Sequence, residues 1–170
     1  MPTRRRAVLF CAVAGLGVAL DQLTKAAARA YLAPRPLIVV WGGIVRLVYS
    51  ENVGAFMGLG TALPPAMRTL LFGVFAALLL AVVTAYVFTT DGLTRLDVVA
   101  ASLLVSGGLG NLIDRAVFDG RVTDFVTVGI GWLRTGIFNV ADVFIVAGVG
   151  WFLVSLVSGG AGPAHGKDEA

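Results

Sequence analysis

Four stretches of this chain are apolar almost without interruption, and its polar residues gather between them. The first begins at Ala7 and runs to Leu20, then continues in helical pattern through Asp21-Gln22-Leu23-Thr24-Lys25. The second runs from Leu70 to Phe88, the third from about Leu96 to Ile113 and the fourth from about Ile137 to Val157. A helix rises 1.5 Å per residue, so each approaches the length that crosses a hydrocarbon core of roughly 30 Å. Pro34 and Pro36 end the first helix, and Pro64 and Pro65 open the second. Between them, Leu37 to Trp41, Gly42-Gly43 and Ile44 to Tyr49 read as a β-hairpin on a Gly-Gly turn. A glycine-rich segment with Asn52, Gly54, Phe56, Gly58 and Gly60 follows. Residues 89–95 form a short polar turn. Residues 114–136 form a second outer segment, with Asp124 expected in a loop and Trp132 as an anchor at the membrane interface.

The pattern predicts a membrane all-α bundle of four transmembrane helices with a small extracytoplasmic β-rich segment. Residues 1–158 form one domain, with the outer β-rich cradle at about 37–60. Residues 159–170 are polar and Gly-rich, and read as a disordered cytoplasmic tail. No internal repeat is evident, which argues against an inverted-repeat transporter.

Composition supports a membrane protein. The chain is 58% hydrophobic and 14% charged, with a mean hydropathy of +0.90, whereas a soluble domain is about a quarter charged. A net charge of +3 without a basic stripe argues against nucleic-acid binding. Arg4, Arg5 and Arg6 precede the first span and place both termini of a four-span protein in the cytoplasm. Arg29, Arg35 and Arg46 then fall outside, against that bias. The single cysteine, Cys11, rules out an internal disulfide and reads as a packing residue. The single histidine, His165, lies in the tail, which argues against a histidine-based triad or an H-E-x-x-H zinc site. No metal or cofactor is expected.

Span counting puts the ionisable groups in one layer. Asp21 falls about 21 Å from the inner face, Asp114 about 27 Å, and Asp142 about 7–8 Å below the outer face. Asp124 lies in the segment between the last two. Asn111, Asp114 and Arg115 share a helix face, as do Asn139 and Asp142, while Asp21 and Lys25 have ion-pair spacing. As structure alone, Asp21–Lys25 and Asp114–Arg115 are pairs that tie helices together. Asp124 and Asp142 have no basic residue at helical spacing, so that reading explains them least. Two carboxylates brought together share a proton, and such a pair takes a proton from water and returns one to a leaving amine. Asn52, Asn111, Asn139 and Arg115 are placed to orient the acids or bind peptide backbone.

The blocks Asp21-Gln22-Leu23-Thr24-Lys25, Asn52-Val53-Gly54-Ala55-Phe56, Gly110-Asn111-Leu112-Ile113-Asp114-Arg115, Val122-Thr123-Asp124-Phe125 and Phe138-Asn139-Val140-Ala141-Asp142 resemble those of the bacterial lipoprotein signal peptidases, or signal peptidase II, which are intramembrane aspartic proteases. The chain departs from them in having only Ala55 between Gly54 and Phe56, and Val143 after Asp142. The resemblance implies that Asp124 and Asp142 are the catalytic dyad. It implies supporting or substrate-contacting roles for Asp21, Lys25, Asn52, Gly54, Asn111, Asp114, Arg115 and Asn139. The implied reaction removes the signal peptide of a diacylglyceryl prolipoprotein on the amino side of its lipidated cysteine, with globomycin-type inhibition. The implied partners are prolipoproteins and membrane lipids, for a monomer in the bacterial inner membrane with its site near the outer face. A proton-coupled transporter and a non-catalytic assembly factor are the rival readings. A proton relay would string ionisable groups through the membrane, and the inner half here is nearly free of them.

Overall fold

The computed structural model of the chain describes residues 1–53 and 64–159. Helix α1 spans Thr3–Tyr31, α2 Pro65–Thr89, α3 Arg95–Val117 and α4 Val140–Gly159. All four are long and apolar enough to cross a membrane. Strands β1 (Ile38–Val40), β2 (Val45–Asn52), β3 (Val122–Ile130) and β4 (Leu133–Arg134) form one antiparallel sheet in chain order. The expected architecture is therefore present. Gly54, Phe56, the rest of the glycine-rich segment from 54 to 63, and the tail from 160 lie outside the described residues.

Three places differ from the sequence expectation, the first being Asn52, which ends β2 rather than lying in the glycine-rich segment after the hairpin. Helix α3 continues past Ile113 to Val117 and carries Asp114 and Arg115, as the face they share with Asn111 requires, so the segment placed at 114–136 begins later. Asp124 sits within β3, not in a loop. The run Val122-Thr123-Asp124-Phe125-Val126-Thr127-Val128 is rich in β-branched residues, and β2 supplies a partner strand that satisfies its backbone. The sheet is thus assembled from the segment between α1 and α2 and the segment between α3 and α4.

Helix α3 is the hub and packs against α1, α2 and α4. Its small residues allow this. A methyl group on Gly107 would collide with the Ala141 carbonyl of α4, so only glycine lets the two backbones approach here. Thr94 and Asp97 form a capping box that starts α3. Asp97 also accepts a hydrogen bond from Trp151 Nε1 of α4 at 2.8 Å. At the same end, Arg6 Nη1 donates to the Val87 and Thr90 carbonyls at 2.8 and 2.9 Å. These carbonyls belong to the end of α2, where helical partners run out. The aromatic pairs Phe10–Phe88 and Tyr86–Phe152 close this end.

The interior is divided lengthwise. Phe10, Leu80, Val87, Leu93, Val98, Ala101 and Val105 form the apolar cluster, near the start of α1 and of α3. Toward the other ends of those helices the buried side chains are Asp21, Lys25, Asn111 and Asp114, joined by Asn139 and Asp124. The sheet adjoins that polar half through contacts of β3 with α1 and α3.

Candidate active site

The polar half is built outward from an ionic core. Lys25 is fully buried, 2.9 Å from Asp21 Oδ2 and 3.7 Å from Asp114 Oδ2. Neither carboxylate is exposed, and each takes further donors. Asp21 Oδ1 accepts from the Ala141 N–H at 3.0 Å, and Asp114 Oδ2 from the Thr123 N–H at 2.9 Å. Gln22 Nε2 donates to both acids at 3.2 Å and to the Gly110 carbonyl at 3.0 Å. Buried charges persist only when paired and hydrogen-bonded in this way. Asp21 also reaches α3 across Gly110, where an added methyl group would overlap its carboxylate.

Two asparagines carry this order to Asp124 and Asp142. Asn111 Oδ1 accepts from Lys25 Nζ at 2.8 Å and from Asn139 Nδ2 at 3.2 Å. Its amide nitrogen is thereby turned outward and donates to Asp142 Oδ1 at 3.0 Å. Asn139 starts α4 through a reciprocal pair of bonds. Its N–H donates to Asp142 Oδ2 and its Oδ1 accepts from the Asp142 N–H, both at 3.1 Å. The same Asn139 donates through Nδ2 to Asp124 Oδ1 at 2.7 Å. One residue therefore bonds both carboxylates, Asp124 through its side chain and Asp142 through its backbone N–H.

Asn52 closes the site from the sheet. On β2, Ser50 lies opposite Asp124 and Asn52 opposite Val122, so Asn52 is the diagonal neighbour of Asp124 on the same face. Its Nδ2 donates to Asp124 Oδ2 at 3.1 Å. The register slips between Leu47 and Ser50, an irregularity of the kind that re-aims side chains beside functional sites. Arg115 Nη1 donates to the Asn111 carbonyl at 3.2 Å, and its guanidinium lies within electrostatic range of Asp142, Asp124 and Asp114.

Burial, followed by the nearby Asp142 charge, lifts the Asp124 carboxyl to about 6. The hydrogen bonds from Asn52 and Asn139, and the Lys25 charge, favour its ionised form and moderate the rise. A carboxyl poised there can hold or release a proton near neutrality. Among the described residues no three His, Cys, Asp or Glu side chains converge as metal ligands would.

Of the residues singled out from sequence, Asp21, Lys25, Asn52, Asn111, Asp114, Asp124, Asn139 and Asp142 join one connected network, and Arg115 lies beside it. Gly54 is outside the described residues. Sequence reasoning missed Gln22 and Arg29. Gln22 lies inside the first motif, next to Asp21, but nothing in its spacing marks it as a donor to both acids. Arg29 was read only as a charge on the wrong side. Its spacing, four residues after Lys25 and eight after Asp21, was the signal that it shares their helix face.

A four-helix membrane protein with a small sheet beside buried, amide-held acids has the overall design of a membrane enzyme. Two solved structures of bacterial membrane enzymes, determined by the in meso method, share the fold. One aligns with a TM-score of 0.81 at 25% identity, covering 94% of each chain. The other aligns with a TM-score of 0.75 at 26% identity, covering 87% of this chain and 92% of its own. The profile described as signal peptidase (SPase) II matches residues 13–158. The lipoprotein signal peptidase of Treponema pallidum is 38% identical over 138 residues, 78% of this chain and 74% of its own. That of Sulfurihydrogenibium sp. is 33% identical over 151 residues, 88% of this chain and 91% of its own. The chain belongs to the signal peptidase II family.

Proposed function

We propose that this protein is an intramembrane aspartic endopeptidase of the bacterial inner membrane. It removes the signal peptide from diacylglyceryl-modified prolipoproteins by cleaving on the amino side of the lipidated cysteine. Family membership supports a protease that processes prolipoproteins. The observation that carries the aspartic mechanism is the single residue, Asn139, that bonds the Asp124 carboxylate through its side chain and the Asp142 carboxylate through its backbone N–H, while burial and the Asp142 charge raise the Asp124 carboxyl to about 6.

In this reading Asp124 is the general acid and Asp142 the general base. Asp142 takes a proton from water as the water oxygen attacks the scissile carbonyl. Asp124 gives its proton to the carbonyl oxygen, and a tetrahedral diol forms. The proton on Asp142 then passes to the amide nitrogen while Asp124 recovers one from a diol hydroxyl. The C–N bond breaks, releasing the signal peptide as its carboxylic acid and the lipidated cysteine with a free amine. Asn52 and Asn139 orient Asp124, and Asn111 orients Asp142. Asp21, Lys25 and Asp114 are the buried scaffold behind them. Arg115 and Gly54 contact substrate. The enzyme works as a monomer, with both termini cytoplasmic and the site near the outer face, where the lipidated cysteine sits.

Replacement of Asp124 or Asp142 by Asn tests this directly. Purified variants should process a lipidated prolipoprotein at least about a thousandfold more slowly than wild type, the scale expected when an essential proton carrier is lost. Full processing by either variant would overturn the dyad.

A further inference from the structure

Thr123, the residue before Asp124, is held from three directions. Its N–H donates to Asp114 of α3 at 2.9 Å, and its carbonyl accepts from Asn139, at the start of α4, at 3.3 Å. Its hydroxyl accepts from Arg29 Nη1 of α1 at 2.8 Å. These two backbone bonds and the pairing with β2, where Glu51 lies opposite Thr123, locate the strand and leave only a small roll about its own axis. The hydroxyl bond opposes that roll. Successive side chains on a strand point to opposite faces, so a pull on Thr123 toward α1 turns Asp124 toward Asn52 and Asn139.

Arg29 is itself fixed. Its guanidinium carbon lies 4.4 Å from the centroid of the Phe118 ring, just past the end of α3. Nη1 lies 3.7 Å from Asp114 Oδ2, the oxygen that receives the Thr123 N–H. The side chain is 25% exposed, so it is not part of the sealed ionic core. A planar donor stacked on an aromatic ring and anchored by a carboxylate loses little freedom when it makes one more hydrogen bond.

We propose that Arg29 is a positioning residue for Asp124, acting through the Thr123 hydroxyl to set the roll of β3. This rests on the assignment of Asp124 as a catalytic acid. A misplacement of the order of 1 Å costs about a hundredfold in rate when the reacting geometry is strict, so a partial roll is visible in turnover. The Thr123 hydroxyl lies on the strand face opposite Asp124 and serves only to transmit the hold.

Turnover of a lipidated prolipoprotein by Arg29→Gln, Thr123→Val, the double variant and Arg29→Lys, with Asp124→Asn as control, tests the assignment. Each of the first two should lower kcat about tenfold with KM within about twofold of wild type. The double variant should be no slower than the slower single, because both remove one contact. Arg29→Lys, which can still donate to Thr123, should recover most of the loss. Wild-type kcat in Arg29→Gln, or losses that multiply in the double variant, would overturn the proposal. So would a loss that follows a lowered thermal midpoint and is not recovered by Arg29→Lys. An inactive Asp124→Asn beside a fully active Arg29→Gln removes the positioning role and leaves the acid assignment standing. A fully active Asp124→Asn removes the assignment itself.

Discussion

Two amide donors and a buried ammonium oppose the burial and the Asp142 charge that lift the Asp124 carboxyl to about 6. Because these donors bond the ionised form, removing one must raise the value further. If Asp124 works protonated, kcat/KM falls as pH rises through its value, giving an alkaline limb near 6 in the free enzyme. Asn52→Ala should move that limb to higher pH, as a pH series of kcat/KM on a single prolipoprotein will read. A limb that stays in place or moves down would show that another group controls it. Gly110 sits at the same scale but acts through volume. An alanine methyl group there overlaps the Asp21 carboxylate, which must then give up its place against Lys25 or push α1 from α3. Gly110→Ala should lower stability in detergent by about 1–3 kcal/mol, the usual cost of overpacking, and reduce processing in parallel. Thermal unfolding monitored with a thiol-independent dye or by circular dichroism measures the first effect.

Elements read unevenly from the sequence, and the reason lies in where each finds its partners. The four helices were legible because an apolar run of that length has few alternatives to a span. The β1–β2 hairpin was legible because both strands and their turn are local. Strand β3 was not, although its β-branched run was in view, because β2 lies some seventy residues earlier in the chain and spacing gives no sign of that pairing. Asp124 was therefore put in a loop, which concealed that Asn52 is its cross-strand neighbour. Helix ends divide along the same line. Arg6 was read only as a topological charge, yet it is buried and bonds the last carbonyls of α2. Arg6→Met keeps the apolar stem and strands both carbonyls. It should lower the thermal stability of the bundle by about 1–3 kcal/mol. Arg121 offers the contrast, since its pair with Glu51 at 2.7 Å has both side chains 41% exposed. Arg121→Ala should change stability by less than about 1 kcal/mol, and equal losses in the two variants would contradict this ranking.

Across the whole molecule, the lengthwise division of the interior ties depth to function. The apolar cluster around Phe10, Leu80 and Val98 occupies one half, and the acids and amides occupy the other. Span counting anticipated this layer because rise per residue is fixed, so depth follows from sequence position once the spans are known. It could not say which carboxylates meet, since that depends on the rotation of each helix and on a strand. A substrate whose modified cysteine sits at the outer leaflet needs the polar half to face outward, and this makes orientation a test of the mechanism as well as of topology. The arginines at the start of α1 favour a cytoplasmic N-terminus, whereas Arg29, Arg35 and Arg46 oppose it, so charge alone leaves the case contested. The turn between α2 and α3 contains Asp91, and the turn between β3 and β4 contains Trp132, which is 92% exposed. With Cys11 replaced by Ser, Trp132→Cys should react with a membrane-impermeant maleimide in spheroplasts. Asp91→Cys should react only after the membrane is opened. The reverse pattern would place the acids at the cytoplasmic face, out of reach of an outer-leaflet cysteine, and the proposed reaction would fail with them.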